Sequence, residues 1–190
     1  MQKILISLAI VLTAHIPLNA SILGGVVVNP ANNHSYYLLS PANWTDSQSE
    51  ALTLGGNLVT VNDAVENAWL FSTFSGVDKP LWLGLTDQTT EGNFAWISGE
   101  PFSFSNWSSG EPNNGGHFVH DEDYVYMVES NSSLPLSPGQ WNDVPVGGDG
   151  ILNPVYGVVE IVPEPSIVTL AFIGLCAMIH TRRRPRASQS

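Results

Sequence analysis

Two short strings, Glu111-Pro112-Asn113 and Trp141-Asn142-Asp143, carry most of the information in this chain, and the acidic run Asp121-Glu122-Asp123 lies between them. Together they supply side-chain amides and carboxylates, which are hard oxygen donors. Calcium prefers such a shell and takes about six to eight oxygens at roughly 2.3–2.6 Å. Because each Asn amide also keeps an NH₂ donor, such a site can hold a metal and donate hydrogen bonds to a ligand at once. The vicinal diol of a sugar needs that combination.

Further motifs surround these strings along the chain. They are Trp44, Gly55–Val61, Trp82–Leu85, Asp87–Phe94, Asn106-Trp107 and the closing Val158-Val159-Glu160. In this order the motifs resemble those of the C-type lectin-like domains, and the resemblance covers roughly residues 34–161. It implies an α+β fold with two helices packed on small antiparallel sheets and a long calcium-binding loop region.

Local signals place the predicted elements. Thr45–Gln48 has capping-box spacing for a first helix that Gly55 closes, and Asn62-Asp63 caps a second helix that runs to about Phe74 and ends at Gly76. Strands are predicted at residues 36–39, 81–85, 94–97, 124–128 and 155–161. Long loops are predicted at 98–123 and 130–150, and loops of this length are usually functional or disordered.

The resemblance assigns a principal calcium site to five residues, which are also the implied carbohydrate-binding residues: Glu111, Asn113, Glu122, Asn142 and Asp143. Asp121 is an alternative to Glu122, because the loop before it is longer than in animal relatives. The Glu111–Pro112 peptide is expected to be cis. The plainer alternative is that Glu-Pro-Asn is only a turn.

A second calcium position is implied at Asp87, Glu91, Asn114 and Asp123, with Glu122 shared between the two sites. The Glu-Pro-Asn form of the motif implies mannose-type recognition of equatorial hydroxyl pairs. The tryptophans are expected to pack the interior, with Trp107 or Trp141 as alternatives for stacking on sugar.

Charge limits the possible partners of this chain, and cysteine content limits how the domain can be stabilised. All but one of the 17 acidic residues lie between residues 21 and 163, where Lys79 is the only Lys or Arg, so nucleic acid is excluded as a partner by like-charge repulsion. Cys176 is the only cysteine, so the domain has no disulfides, whereas relatives usually carry two. A lost bridge costs about 2–5 kcal/mol, and bound calcium would offset part of that.

Two other kinds of site are weaker interpretations. His117 and His120 with Asp121 offer zinc ligands without a third strong one. Paired acids are also found in glycosidases, but here the same carboxylates are better explained as metal ligands. The chain is therefore predicted not to be an enzyme.

Both ends carry targeting signals. Residues 1–20 read as a signal peptide, and residues 21–33 as a linker before the domain at 34–161. Residues 162–186 resemble a PEP-CTERM sorting signal, with the motif at 162–166 around Pro163, Glu164 and Pro165, an apolar segment at 167–180 and a basic end at 182–186. The apolar segment is short for a bilayer of about 30 Å.

The sorting resemblance implies an exosortase-type processing enzyme, a transient inner-membrane intermediate and delivery to the cell surface or extracellular matrix of a Gram-negative bacterium. An ordinary single-pass anchor is the alternative. The function predicted for the whole chain is calcium-dependent binding of a mannose-type glycan or exopolysaccharide. A calcium-stabilised matrix protein without a sugar site, and a protein-binding adhesin, remain as alternatives.

Overall fold

The computed structural model describes residues 21–76, 78–115, 121–147 and 154–163. The strands are β1 (Ile22–Val28), β2 (Ser35–Pro41), β3 (Asn57–Leu58), β4 (Leu81–Thr86), β5 (Ala95–Trp96), β6 (Tyr124–Met127), β7 (Trp141–Val144) and β8 (Tyr156–Ile161). The helices are α1 (Trp44–Thr53) and α2 (Ala64–Leu70), and α2 continues into a π-helical turn at Phe71–Ser75. Within these ranges no helix is both long enough and apolar enough to cross a membrane.

The strands form one sheet with the main path β1-β2-β8-β4-β6-β7, while β3 pairs with β8 and β5 with β4. The closing strand β8 lies antiparallel to β2 but parallel to β4, with Leu81 opposite Tyr156. The predicted α+β class with two helices is confirmed. The sheet is mixed rather than purely antiparallel, because β8 enters between two strands that run in opposite directions.

Two segments differ from the sequence prediction. Residues 21–33 were expected to be a linker, but β1 pairs with β2, and the register shift between Leu23 and Val27 hides the strand pattern. The second difference is β7, which lies inside the predicted loop 130–150. All four of its residues are buried, and it pairs with β6 from Trp141–Met127 to Val144–Tyr124. Tertiary pairing therefore makes a strand from a segment whose flanks are rich in Gly, Pro and Ser.

The first helix starts differently from the capping-box prediction. Asn43, not Thr45, is the N-cap, and its Oδ1 accepts a hydrogen bond of 2.8 Å from the Asp46 N–H. Gln48 does not complete a capping box, because its Oε1 accepts a 2.8 Å bond from the Leu58 N–H instead. The predicted helix end is confirmed, since Gly55 follows the last turn at φ 84°.

The second helix has the predicted start. Asp63 Oδ1 accepts hydrogen bonds from the Val65 and Glu66 N–H groups at 2.8 and 2.9 Å. The helical segment extends through the π-helical turn to Ser75, and Gly76 follows with φ 59°. A Gly at this position satisfies a backbone conformation that side chains disfavour.

The core covers both faces of β4 and β6. Leu81, Leu83 and Leu85 of β4 pack in one cluster with Trp141, whereas Trp82 packs in a second cluster on the other face. Such double-sided burial explains why β4 is a continuous apolar run rather than an alternating one. Gly84 has a specific role there, because a Cβ at this position would lie 2.4 Å from the Leu58 carbonyl oxygen. The core thus holds β3 against β4 and keeps β4 in place. The long loop region begins after β4.

Candidate metal centre

The segments that carry the predicted principal site meet at one end of the molecule. Asn142 and Asp143 lie on β7, Glu122 lies two residues before β6, and Glu111 and Asn113 lie on the loop that precedes them. The Glu111–Pro112 peptide is cis, as expected. Because β6 and β7 pair antiparallel, with Asp143 opposite Val125, the end of the sheet brings Glu122 close to β7.

Backbone amides of the loop are tied to two of these carboxylates. Asp143 accepts hydrogen bonds from the N–H groups of Asn113 at 3.2 Å and Asn114 at 2.9 Å. Glu122 accepts one from the Gly115 N–H at 2.6 Å, and its own N–H donates to Asn114 Oδ1 at 2.9 Å. The loop is therefore anchored to the sheet by the predicted ligand residues. It is Glu122 rather than its alternative Asp121 that makes these contacts.

Two oxygens at this end are buried without hydrogen-bonding partners: Oε2 of Glu111 and Oδ1 of Asn142. Buried polar atoms in proteins are nearly always satisfied, so each exception needs an explanation. Both atoms are hard oxygen donors of the kind that calcium binds. The residues present therefore fit a calcium ion.

The candidate shell is not a cluster of acids alone. Among the described residues no group of three or more His, Cys, Asp and Glu side chains has the arrangement of a metal cage. The five residues at this end include two amides, Asn113 and Asn142, alongside three carboxylates. Calcium accepts such a mixture of carboxylate and amide oxygens.

The electrostatics of Glu111 reflect the crowding of like charges. Burial raises the pKa of its carboxyl to about 7, and the neighbouring carboxylates of Asp143 and Glu122 push it in the same direction. A cation between the three groups would reverse that effect, because an opposite charge favours the ionised form.

The acidic residues of the predicted second site form an electrostatic cluster, although they do not have the arrangement of a metal cage. Asp87 is 2 % exposed, its Oδ2 accepts a 2.8 Å bond from the Gly92 N–H, and its Oδ1 has no partner. Partial desolvation and then the charges of Asp87, Asp121 and Asp123 raise the pKa of Glu91. Desolvation, Asp87 and Asp121 likewise raise the pKa of Asp123. Asp121 thus belongs electrostatically to this cluster, an association that the sequence did not predict.

Asn114 differs from the other residues predicted for the second site. Its Oδ1 accepts the hydrogen bond from the Glu122 N–H, and its backbone adopts φ 48°. The side chain therefore links the loop to Glu122.

The alternatives for Trp and His have different outcomes. Trp141 cannot stack on a sugar, because it is fully buried and its Nε1–H donates to Asn67 Oδ1 at 2.8 Å. Trp107 is partly buried and lies 4.9 Å from the Phe94 ring, so stacking by Trp107 stays a prediction. His117 and His120 lie outside the described residues.

A buried network that the sequence did not predict lies away from this end. The Tyr36 hydroxyl lies 2.8 Å from Glu66 Oε1 and 2.9 Å from Glu160 Oε1, and His34 Nδ1 lies 2.7 Å from the same Glu160 oxygen. Glu66 and Glu160 are 6 % exposed. Glu66 lies next to the N-cap of α2, and Glu160 lies near the end of β8. The sequence around either residue therefore does not predict that the two side chains meet.

The fold is that of a small α+β domain in which a long loop region presents side-chain oxygens at the end of a mixed sheet. The model of the lectin C-type domain matches residues 40–146, which is more than half of the chain, so this protein belongs to the C-type lectin domain family.

Relatives with this domain occur in animals. The chain is 36 % identical over 108 residues to the mouse low affinity immunoglobulin epsilon Fc receptor, covering 57 % of this chain and 29 % of the receptor. It is 31 % identical over 119 residues to a perlucin-like protein of the mussel Mytilus galloprovincialis, covering 57 % of this chain and 67 % of that protein. The chain thus spans less than a third of the mouse receptor's length.

Solved structures share the fold. The C-type carbohydrate-recognition domain of cow CD23, crystallised in the presence of GlcNAc2Man3 oligosaccharide, has a TM-score of 0.56 and 28 % identity, covering 70 % of this chain and 90 % of the other. The carbohydrate-recognition domain of the human scavenger receptor C-type lectin has a TM-score of 0.58 and 25 % identity, covering 71 % and 95 %.

Proposed function

We propose that this chain binds carbohydrate in a calcium-dependent manner, without catalysis. The observation that carries the proposal is the pair of buried, unpartnered oxygens, Glu111 Oε2 and Asn142 Oδ1, at the meeting point of the loop and β7. Support also comes from the cow CD23 domain, whose structure was determined in the presence of an oligosaccharide.

Five residues would hold the ion: Glu111, Asn113, Glu122, Asn142 and Asp143. When bound, calcium would offset two of the three carboxylate charges and supply open coordination positions for sugar hydroxyls. The protein's own contribution is positional. Asp143 and Glu122 tie the loop to the sheet through the amides of Asn113, Asn114 and Gly115. The loop is therefore held at the sheet end by the same carboxylates that would bind the metal.

A second ion would be held by Asp87, Glu91 and Asp123, and the family resemblance adds Asn114 to this site. The buried, unpartnered Oδ1 of Asp87 supports this part of the proposal.

Mannose-type specificity is the finer part of the proposal. In the Glu-Pro-Asn order, Glu111 presents an acceptor and Asn113 a donor to one hydroxyl pair. Exchanging them in the double variant Glu111→Gln with Asn113→Asp keeps the oxygen ligands but reverses the donor and acceptor. We expect that variant to weaken mannose relative to galactose while retaining calcium. Equal mannose affinity in the variant and the wild type would place the sugar elsewhere.

The direct test of the function is a glycan array probed with the purified protein in calcium and in EDTA. Binding to glycans with terminal mannose, fucose, glucose or N-acetylglucosamine should be present in calcium and lost in EDTA. Calcium binding without any glycan signal would favour the matrix-protein alternative. Capture of a defined protein partner that survives EDTA would favour the adhesin alternative.

The proposal extends to export, and it rests here on the sequence, because residues 1–20 and 164–190 lie outside the described residues. We infer removal of the signal peptide, transient retention in the inner membrane, cleavage near Pro163, Glu164 and Pro165 by an exosortase-type enzyme, and release to the cell surface or matrix. Intact-mass analysis of the surface form should show loss of everything beyond about residue 165. Retention of the arginines at 182–186 would make the tail an anchor.

A further inference from the structure

A cavity lies between the turn that joins β1 to β2 and the start of α2. Its volume is about 370 Å³, near the lower end of the range of roughly 300–1,000 Å³ that is usual for small-molecule sites. Part of its wall is apolar and consists of Pro30, Ala31, Val65 and Trp69. None of the residues that line it belongs to either candidate calcium site. The cavity therefore suits a small ligand that carries some hydrocarbon.

A buried carboxylate, that of Glu66, also lines this cavity. Glu66 and its neighbour Glu160 share the Tyr36 hydroxyl, and both are 6 % exposed. Buried charges in proteins are normally paired with an opposite charge. Lys79 is the only Lys or Arg among the described residues, and its Nζ lies 3.5 Å from Asp78. The described part of the chain therefore supplies no permanent cation to Glu66.

The hydrogen bonds of Glu66 are already made, in contrast to its charge. Besides the Tyr36 hydroxyl, Oε1 accepts a 3.1 Å bond from Asn32 Nδ2, and Oε2 accepts a 2.9 Å bond from the Asn62 N–H. His34 contacts Glu160 instead, and it is charged only if protonated. Burial is the main cause of the raised pKa of Glu66, as expected for a negative charge without a counter-charge. A ligand that brings positive charge and needs no further hydrogen bond would complete this site.

Trp69 adds an aromatic ring to the same cavity. Its ring lies 4.9 Å from that of Tyr36 and 5.7 Å from that of Phe74, edge-on to the latter, so packing fixes its orientation. Trp is the best aromatic partner for a cation. A quaternary ammonium group has no N–H donor and carries hydrocarbon directly on its charged nitrogen. Such a group matches a cavity that combines an aromatic ring, an apolar wall and a carboxylate.

We propose that the cavity between the β1–β2 turn and α2 binds a small quaternary ammonium cation of the choline class, with Trp69 against the methylated nitrogen and Glu66 as the opposite charge.

The acidity of the cavity indicates the form of this ligand. Asp63 lines it together with Glu66. A phosphate or carboxylate attached to the ammonium group would therefore face like charge. The favoured ligand is a free cation rather than a zwitterionic headgroup. Because the cavity uses no calcium ligand, this site does not depend on the proposed carbohydrate binding.

Titration of the isotope-labelled full-length chain with choline chloride in EDTA, followed by two-dimensional NMR, tests the site. Choline should give saturable shifts in the backbone amides of residues 29–34 and 62–69, whereas sodium chloride at the same concentrations should not. A neutral isostere, in which a tert-butyl group replaces the trimethylammonium group, should bind about tenfold more weakly, as expected for the loss of one desolvated cation–π contact. Equal affinity for the two compounds, or no saturable shift with choline, would overturn the proposal.

Variants of the cavity wall assign the two contacts. Trp69→Leu should weaken choline binding about tenfold, and Trp69→Phe, which keeps an aromatic ring, should weaken it less. Glu66→Gln should also weaken it, while Asp78→Asn, the matched loss of a carboxylate outside the cavity, should bind as the wild type does. Equal weakening by Glu66→Gln and Asp78→Asn would reduce the effect to overall charge and refute the site. If a variant does not fold, as judged by circular dichroism, the comparison of choline with its isostere on the wild type decides.

Phosphocholine and phosphatidylcholine vesicles distinguish the sources of the ammonium group. Phosphocholine should bind more weakly than choline, and the vesicles should not be bound. Tighter binding of either would show that a zwitterionic headgroup is the ligand and would overturn the assignment to a free cation. A chain that binds choline but no glycan would disprove the proposed function and leave this site intact.

Discussion

Two groups of polar side chains in this domain, the network around Tyr36 and the residues at the loop end, differ in whether all of their buried oxygens have hydrogen-bonding partners. In the network around Tyr36, every carboxylate oxygen of Glu66 and Glu160 has a partner, including the Asn62 and Thr60 N–H groups at 2.9 and 3.0 Å. At the loop end, Glu111 Oε2 and Asn142 Oδ1 have none. An unsatisfied buried oxygen costs about 1–3 kcal/mol. The first group is therefore structural, whereas the second has the composition of a site that is completed by a ligand.

The most damaging change should be in the satisfied network. Glu160→Ala leaves the Thr60 N–H, the Tyr36 hydroxyl and His34 without their carboxylate, so we expect a loss of about 2–4 kcal/mol of unfolding free energy. Urea denaturation in EDTA measures it. At the loop end, Glu111→Gln removes a repelled charge and should leave the stability in EDTA unchanged or slightly higher. If Glu111→Gln costs as much as Glu160→Ala, the distinction between the two groups is wrong.

Calcium should stabilise the folded state through the second group, the one at the loop end. At a hundred times its dissociation constant, calcium would add about 2.7 kcal/mol to the stability of the native state, which raises Tm by roughly 5–10 °C. Scanning calorimetry in calcium and in EDTA measures the shift. Glu111→Ala, which removes the oxygen ligand altogether, should abolish most of it, and Asp78→Asn, at an acid whose side chain is 73 % exposed, should preserve it. A wild-type Tm that is the same in both buffers would exclude the metal site.

The second cluster should make a smaller contribution. Asp87→Asn removes one carboxylate oxygen from a group that already shares its charge between Glu91, Asp123 and Asp121. Isothermal titration should then show one calcium per chain instead of two, with most of the thermal shift retained. If the variant binds as many calcium ions as the wild type, Asp87 is not a calcium ligand.

The smallest expected effect is a pH dependence of the satisfied network. Burial raises the pKa of Glu66 above its ordinary value of 4.5, and the charges of Glu160 and Asp63 act in the same direction. The folded state therefore binds a proton more tightly than the unfolded state, so this contribution is complete below pH 4.5 and is lost as pH rises through the raised pKa.

The geometry agrees with a raised pKa for Glu66, because the Tyr36 hydroxyl lies within hydrogen-bonding distance of two carboxylates and has only one hydrogen to donate. Denaturation in EDTA at several pH values should show that Glu66→Gln flattens the rise in stability towards low pH, and that Asp78→Asn leaves it intact. An identical slope in the wild type and Glu66→Gln would show that Glu66 does not take up the proton.

Sequence motifs were sufficient for the α+β class, for the Asp63 cap and for the cis peptide at Pro112. They were insufficient where a partner comes from far along the chain. Gln48 has the spacing of a capping box but bonds to Leu58 instead, and Asn43 takes the cap. The sequence predicts Trp141 to pack the interior, with stacking on a sugar as the alternative, and only the tertiary structure shows that it is fully buried.

The sequence by itself determined the chemistry of the loop end, because the oxygen donors of Glu111, Asn113, Asn142 and Asp143 are properties of residue type and local order. Tertiary structure alone decided which of those oxygens have partners, that Glu66 and Glu160 share one hydroxyl, and that Ile22–Val28 forms an exposed strand at the sheet edge. The physical reason is that hydrogen bonding and burial depend on groups that can be 124 residues away in the sequence, as in the Tyr36–Glu160 contact. The local sequence pattern around a residue does not show which distant groups will contact it.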